Sequence, residues 1–237
     1  MIFAGEIAAY FRTDASDVFR QVEARGDIPR SLFENAFPGL WDILMSQGIL
    51  PVRTRRLIRA SKGYSGILLA ALFGESYKLL SLALLQAMHR PISGVFGEVT
   101  LMRVVSETTE QSPLVRIESE DLAFPSPLPE PVELRTLAPL LPPFSVAREL
   151  TDAHRELARL TGNSAILPES ETPCWRTLSA SFNVHSSKEG MKGRVTVESG
   201  HPYAGAALRY ALLKGFGAGR EKGYGALDII HQRRNFS

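Results

Sequence analysis

The clearest hydrophobic pattern lies in the last third of the chain. Residues 176–184 and 192–198 both alternate between apolar and polar side chains, and the polar stretch 186–190 separates them. A period of two predicts a pair of strands joined by a hairpin turn. Residues 202–214 place apolar side chains at helical spacing and therefore predict a helix. A short final strand is predicted at 226–230.

A proline-rich stretch marks a border before this region. Residues 123–143 contain seven prolines, which remove backbone donors and favour extended chain. Within it, residues 132–137 predict a strand, and residues 146–160 then predict a helix. The order strand, helix, two strands, helix, strand is that of a ferredoxin-like β-α-β-β-α-β unit. We therefore predict an α+β fold with a C-terminal ferredoxin-like domain over residues 123–237.

The pattern of the N-terminal part is more helical. Residues 2–12 predict a strand and residues 96–106 another. The apolar run 67–87 carries Glu75 and Lys78, so it predicts an amphipathic buried helix rather than a membrane span. We interpret residues 1–122 as an N-terminal ferredoxin-like domain with a helical insertion at about residues 30–90. Whether this domain is a diverged copy of the C-terminal unit stays open.

Charge changes this picture through its distribution. The formal net charge is only +2, but the chain from residue 188 onward carries nine cations and four anions. Residues 53–62 hold five cations and no acid, so on a predicted helix they present a basic face. Such asymmetry favours a polyanionic partner. The five cations are Arg53, Arg55, Arg56, Arg59 and Lys62.

The single cysteine, Cys174, excludes an internal disulfide and a cysteine-based metal site, and it fits a reducing cytoplasm. The N-terminus has no basic region and Glu6 interrupts its apolar start, which argues against a secretory signal. We expect a cytoplasmic protein that uses no metal or cofactor and no membrane.

Residues 215–225 read GFGAGREKGYG, two Gly-aromatic-Gly triplets around a charged insert. Glycines allow positive φ and close approach, and successive backbone N–H groups can form a nest for phosphate. The aromatic residues can stack on bases or pack beneath the loop, and their position between glycines favours packing. A P-loop is excluded because Lys222 is followed by Gly223, and a dinucleotide fingerprint because the helix precedes the loop. A plain tight connection between helix and strand remains the alternative.

This loop and its context resemble the RAMP superfamily of CRISPR-associated RNA-binding proteins. The segments GMKGRVTV (190–197), PYAGAALRYALLK (202–214), GALDI (225–229) and VELRTLAP (132–139) resemble the C-terminal domain of the CRISPR repeat-RNA processing endoribonucleases. The resemblance implies two ferredoxin-like domains side by side and metal-independent cleavage of repeat RNA that leaves a 2′,3′-cyclic phosphate. It also implies a CRISPR repeat stem-loop as partner, with other CRISPR effector-complex subunits. The RNA-contacting residues it implies in this loop are Lys214, Gly215, Gly217, Arg220, Lys222, Gly223 and Gly225. We also predict RNA contact, through a solvated helical face that meets phosphates, at the five cations Arg53, Arg55, Arg56, Arg59 and Lys62.

The catalytic residues are the point at which the chain departs from this family. Metal-free cleavage requires a deprotonated 2′-hydroxyl, a protonated 5′-oxygen and a stabilised phosphorus. The family often takes a histidine from the first domain, whereas no histidine precedes His89 in this chain. In this respect the chain resembles divergent processing enzymes of the type IV class. The candidates are Arg20, Arg25, Arg30 and His201, with Arg12, His89 and His185 as further possibilities.

Two other functions stay open. The chain can be a non-catalytic RAMP subunit that binds RNA within a CRISPR complex. It can also be a ferredoxin-like module for a small ligand or a protein, which predicts no salt-sensitive affinity for RNA.

Overall fold

A computed structural model shows two antiparallel sheets, one in each half of the chain, both accompanied by helices. The structure describes residues 2–13, 20–61, 63–107, 114–168, 174–184, 190–222 and 224–230, without the side chains of residues 23 and 59–61. The elements of the first half are β1 (Ile2–Thr13), α1 (Val22–Gly26), α2 (Ile28–Ala36), α3 (Leu40–Ser46), β2 (Val52–Ser61), β3 (Gly63–Ala71), α4 (Gly74–Ala87), β4 (Pro91–Gly94), β5 (Gly97–Val105), β6 (Arg116–Glu118) and α5 (Ser119–Ala123).

The first sheet has the strand order β2-β3-β1-β5-β4, and β6 pairs with the start of β1. Along the chain, β1, helices, β2, β3, α4 and β5 form a β-α-β-β-α-β unit, so this half is a second ferredoxin-like domain. Ile7, Ala9 and Phe11 on β1 face the helices and are buried with Leu80 and Leu84 of α4. Alternation along β1 therefore builds one side of the core.

The predicted helix over residues 53–62 is wrong, because this stretch is the strand β2. Val52, Thr54 and Ile58 are β-branched and favour extended chain, and Gly63 with φ of 80° begins the return strand β3. The apolar run beginning at residue 67 is likewise a strand in its first part and a helix only from Gly74. β3 is buried on both faces, so its hydrophobic run has no period of two.

The extra helices of this domain fall partly within the predicted range of about residues 30–90: α2 and α3 lie almost entirely inside it, α1 precedes it, and β2 and β3 occupy another part of it. Three short helices, α1, α2 and α3, stand between β1 and β2, where a minimal unit has one. The domain border predicted between residues 122 and 123 falls in the last turn of α5, after the final strand of the first sheet. It stays a proposal.

The second half follows the predicted order of elements closely. Its sheet has the order β10-β7-β9-β8, which is again the ferredoxin-like arrangement. Leu150, Ala153 and Leu157 of the long helix are buried, as the helical spacing predicts. The elements are β7 (Val132–Thr136), α6 (Val146–Thr161), β8 (Arg176–Val184), β9 (Met191–Glu198), α7 (Ala204–Lys214) and β10 (Leu227–Ile229).

The two domains join through α7 and through the edge strands β2 and β10. Nearly every residue of α7 is buried, because the helix packs on its own sheet and also on the first one. Ala4 of β1 and Ala70 of β3 share one apolar cluster with Tyr210 and Leu213 of α7. In the described part of the chain, no helix has the length and apolar character needed to cross a bilayer.

Candidate nucleic-acid interface

The glycine loop, residues 215–225, connects α7 to β10 and is held mainly by its own backbone. Phe216 N–H donates to the Gly225 carbonyl at 2.8 Å, and Gly225 N–H donates to the Pro139 carbonyl at 2.9 Å. Tyr224 N–H donates to the Gly219 carbonyl at 3.2 Å. Phe216 and Tyr224 are buried under the loop, which is the packing arrangement rather than the base-stacking one.

Two of the glycines are required by close approach as well as by φ. Gly215 has φ of 84°, and a Cβ there would overlap Nη1 of Arg53. Gly225 has φ of 73°, and a Cβ there would overlap the Phe216 carbonyl oxygen. Gly225 thus lets the loop close on itself, and Gly215 leaves space for Arg53 of the other domain.

A carboxylate occupies the place at which the nest was expected to hold phosphate. Gly217 N–H donates to Glu149 Oε1 at 2.6 Å, and Arg220 Nη1 lies 3.7 Å from Glu149 Oε2. Burial raises the pKa of Glu149, although the Gly217 hydrogen bond and the charges of Arg220 and Lys214 act in the opposite direction. An RNA phosphate at this point would compete with Glu149.

Arg53 reaches the loop from β2 and is fully buried. Its guanidinium donates to the Lys214 carbonyl at 2.6 Å and to the Tyr224 carbonyl at 2.8 Å. Lys214 is the last residue of α7, so the cation also lies at the negative end of the helix dipole. Burial, followed by repulsion from Arg55 and Arg220, lowers the pKa of Arg53 to about 9, which still leaves it charged at neutral pH.

Arg55 forms a second buried connection between the domains. It pairs with Glu6 of β1 at 2.5 Å, and its Nη2 donates to the Leu227 carbonyl of β10 at 2.7 Å. The same nitrogen lies 3.3 Å from Asp228 Oδ1, and Arg56 lies 3.3 Å from the other oxygen of Asp228. Burial acts to lower the pKa of Arg55, but the charges of Glu6 and Asp228 and their hydrogen bonds raise it on balance.

The prediction that Arg53 and Arg55 belong to a solvated RNA-binding face is therefore wrong. Both are buried because they saturate carbonyl and carboxylate oxygens where the sheets meet. Arg56 is partly exposed and paired with Asp228. The side chain of Arg59 and all of Lys62 lie outside the described residues.

The remaining predicted RNA-binding cations differ in how far protein partners engage them. Lys214 forms an ion pair with Glu156. Arg220 is about one third exposed beside Glu149, and Lys222 is exposed. Both belong to a short 3₁₀ helix, Arg220–Lys222, at the loop tip. Gly223 lies outside the described residues.

The glycine loop meets the N-terminal domain at α1, the helix that contains the catalytic candidate Arg25. A Cβ at Gly26 would overlap the backbone of Lys222, so α1 and the loop tip touch. Thr54 Oγ1 donates to the Arg25 carbonyl at 2.6 Å, and Arg25 Nη1 donates to the Arg20 carbonyl at 2.8 Å. Arg20 is exposed and Arg25 is buried.

Arg30 and His201 lie in other surroundings. Arg30 on α2 pairs with Asp42 of α3 at 3.4 Å. His201 Nδ1 accepts the Tyr203 N–H at 3.1 Å, and its Nε2 lies 3.2 Å from the Leu167 carbonyl, so both ring nitrogens bind backbone groups. These bonds fix one tautomer and leave His201 poorly placed to move a proton.

The three further catalytic possibilities are His89, Arg12 and His185. His89 follows α4 with φ of 59°, Arg12 is exposed on β1, and His185 lies outside the described residues. Within the described ranges, no group of three or more His, Cys, Asp or Glu side chains is arranged to hold a metal ion.

The contact of β2 with the glycine loop and β10 is called the seam. A cleft of about 800 Å³ lies between the domains beside the seam. One wall is apolar, with Leu72 and Phe73, and the other presents charged side chains of α6 and α7. Tyr210 donates to Glu156 at 2.8 Å, and burial and the charge of Glu156 raise the pKa of Tyr210 well above 10. Tyr210 therefore stays protonated, as a donor rather than a base.

Sequence reasoning did not assign Glu6, Glu149 or Asp228, the three acids that hold the loop and the seam. The signal available for Glu6 is a lone charge inside the apolar strand IFAGEIAAYF, which requires a buried partner. Asp228 carries the same signal, as the lone charge inside the apolar stretch ALDII (226–230). No comparable signal exists for Glu149, because it lies in an ordinary mixed-charge stretch.

No protein-family model and no curated protein matches this chain. Solved structures do match it. A Cas6 protein in a product complex gives a TM-score of 0.65 at 16% identity, over 97% of this chain and 100% of the other. A second Cas6 protein in a product complex gives 0.61 at 17% identity over the same shares, 97% and 100%. A structure described as CRISPR associated protein Cas6 gives 0.50 at 10% identity over 96% and 99%. The chain therefore has the two-domain ferredoxin-like fold of the Cas6 structures.

Proposed function

We propose that this chain is a CRISPR repeat-RNA processing protein: a metal-independent endoribonuclease that cleaves repeat RNA, leaves a 2′,3′-cyclic phosphate and retains the product hairpin. The observation that carries the proposal is the contact between the glycine loop and α1, in which Gly26 lies against the backbone of Lys222 and Arg25, the residue before Gly26, binds the Arg20 carbonyl. The fold shared with the Cas6 structures supports it.

The proposed roles follow from the chemistry of the guanidinium group. Arginine offers forked donors to the oxygens of a pentacoordinate phosphorus but does not remove a proton at neutral pH. Arg20, which is exposed two residues before α1 begins, is the proposed donor to the scissile phosphate. Arg25 is proposed to position it, because its side chain holds the Arg20 carbonyl.

The test is cleavage of a repeat RNA by the purified chain in excess EDTA, followed by analysis of the product ends. We expect specific cleavage with a 2′,3′-cyclic phosphate, and at least a tenfold slower rate for Arg20→Ala, on the order of one lost transition-state donor. Arg90→Ala removes an exposed arginine at the end of α4 and serves as the matched control. A chain that binds no repeat RNA at all contradicts the proposal.

The second candidate is a non-catalytic RNA-binding subunit of a CRISPR ribonucleoprotein complex. The observation that favours it is the engagement of His201 by two backbone groups, together with the lack of a proton acceptor in the arginine candidates. This candidate predicts tight binding of repeat RNA that stays intact in the same assay.

A further inference from the structure

The outer face of the first sheet, opposite its helices, is covered by the C-terminal domain over only part of its area. Ala4 and Ala70 on this face are buried under α7, and Ala8 and Leu68 under Leu114. Beyond them, toward the β2–β3 hairpin, the face is open. We call the four side chains there the sheet platform: Tyr10, Arg12, Tyr64 and Arg103.

Backbone register places these four residues in two adjacent rows. Tyr10 on β1 pairs with Arg103 on β5, and Arg12 on β1 pairs with Tyr64 on β3. Tyr10 and Tyr64 are thus diagonal neighbours on one face, with Cα atoms about 7–8 Å apart. Each tyrosine has an arginine directly across from it.

Tyr64 presents aromatic surface to solvent, and Tyr10 is half-buried at the edge of the small apolar cluster of Ala8, Leu68 and Leu114. The Tyr10 ring lies over Gly66, where a Cβ would come within 2.8 Å of two ring carbons. The Arg103 guanidinium carbon lies 5.9 Å from the centre of that ring. Tyr64 is 53% exposed, and Arg12 and Arg103 are exposed as well.

The charge of the platform has no ion-pair partner in the part of the chain that the structure describes. Among the residues that the structure describes, neither Arg12 nor Arg103 forms an ion pair. Glu6, the acid on the same face of β1, is held by Arg55. Two exposed arginines, the exposed ring of Tyr64 and the half-buried ring of Tyr10 match the chemistry of nucleotides, which carry both phosphate charge and aromatic faces.

We propose that the sheet platform binds unpaired nucleotides of the RNA, with bases stacked on Tyr10 and Tyr64 and phosphates on Arg12 and Arg103. The inference rests on the proposed RNA-binding function and adds a single-strand subsite to it. Unpaired nucleotides are specified because bases inside a duplex have no free face for a side chain to stack on.

The test compares one RNA hairpin with and without an unstructured single-stranded flank that carries 2-aminopurine. We expect the flank to strengthen binding to the unaltered chain and the fluorescence of 2-aminopurine to be quenched by stacking. The double variant Tyr10→Leu, Tyr64→Leu should lose at least about tenfold in affinity for the flanked hairpin, together with the quenching. Its affinity for the bare hairpin should be unchanged, which also shows that it folds.

Three comparisons make the test specific. Tyr10→Phe with Tyr64→Phe keeps both rings and should keep affinity and quenching. Phe124→Leu removes an aromatic residue that is 68% exposed after α5 and should change neither. Arg12→Gln with Arg103→Gln should make the salt dependence less steep by about 0.7 per arginine.

The outcomes separate this inference from the function beneath it. If the unaltered chain binds the bare hairpin but gains nothing from the flank, or the leucine variant behaves like the unaltered chain, the sheet platform is not a nucleotide site. If the unaltered chain binds neither RNA, the proposed function fails and this inference fails with it.

Discussion

Arg53 is the residue at which both domains and the glycine loop converge. Its buried guanidinium bonds carbonyls on the two sides of the loop, at Lys214 and Tyr224. The partners of Arg53 are carbonyl dipoles rather than a carboxylate, so its buried charge is stabilised only while the guanidinium lies close to both carbonyls. Gly215 makes this close approach possible, because a side chain there would overlap Arg53. The glycine pattern therefore serves an arginine from the other domain.

Gly215→Ala tests this role. The new methyl group would displace Arg53 and also impose a positive φ on alanine, so we expect the free energy of unfolding to fall by about 3–5 kcal/mol. Gly162→Ala is the control, since Gly162 has φ of 68° but open space around it, and should cost about 1–2 kcal/mol. Urea unfolding measures both variants. Equal losses of unfolding free energy in the two would show that contact with Arg53 does not explain the effect of Gly215→Ala.

His154 gives a pH dependence of a defined sign. Burial and then the charge of His201 lower the pKa of His154 from 6.5 to about 4, so the folded state keeps it neutral. The unfolded state binds the proton first, and stability therefore falls as pH decreases from about 6.5 to about 4, by up to about 3 kcal/mol. His154→Gln should flatten the stability curve over this window, and an unchanged slope in chemical unfolding would contradict the account.

At the scale of elements, the second ferredoxin-like unit was predictable from sequence and the first was not. Alternation at 176–184 and 192–198 predicts strands and matches β8 and β9, of which β9 buries Val195 and Val197 on one face while the edge strand β8 is exposed along nearly all its length. In contrast, β3 is buried on both faces, and the cations of β2 are neutralised by partners distant in sequence. A lone acid in an apolar strand, such as Glu6 or Asp228, indicates a buried partner, but the local pattern does not show that the partner is an arginine of β2. The basic pattern of residues 53–62 taken alone therefore predicts solvated arginines.

The glycine loop makes a prediction of its own, at Glu149. Its carboxylate holds the Gly217 N–H and lies beside Arg220, where it competes with RNA phosphate. Glu149→Gln keeps an acceptor but removes the charge, so we expect RNA affinity to rise about fivefold, on the order of 1 kcal/mol. Burial raises the pKa of Glu149, so the difference between the two proteins should shrink as pH falls. Filter binding at several pH values checks this, and equal or weaker binding by the variant would refute it.

At the scale of the whole molecule, two sheets meet edge to edge through charged side chains. Arg55 joins β1, β2 and β10, and replacing it leaves Glu6 buried without its charge partner. Arg55→Leu should lower the free energy of unfolding by about 3–5 kcal/mol. Arg176→Leu, which breaks the exposed pair with Glu198, should cost at most about 1 kcal/mol. Urea unfolding of both variants compares the two losses of unfolding free energy. Similar losses would show that the contact between the domains does not depend on Arg55.

The same seam sets the proposed path of RNA, from the loop tip across α1 to the open half of the first sheet. Photo-cross-linking of 4-thiouridine-substituted repeat RNA, read by mass spectrometry, tests this path most directly. The account predicts cross-links at Arg220–Lys222, at α1 and at Tyr10 and Tyr64. Cross-links confined to other surfaces such as β8, or none above those of an unrelated RNA, would contradict it.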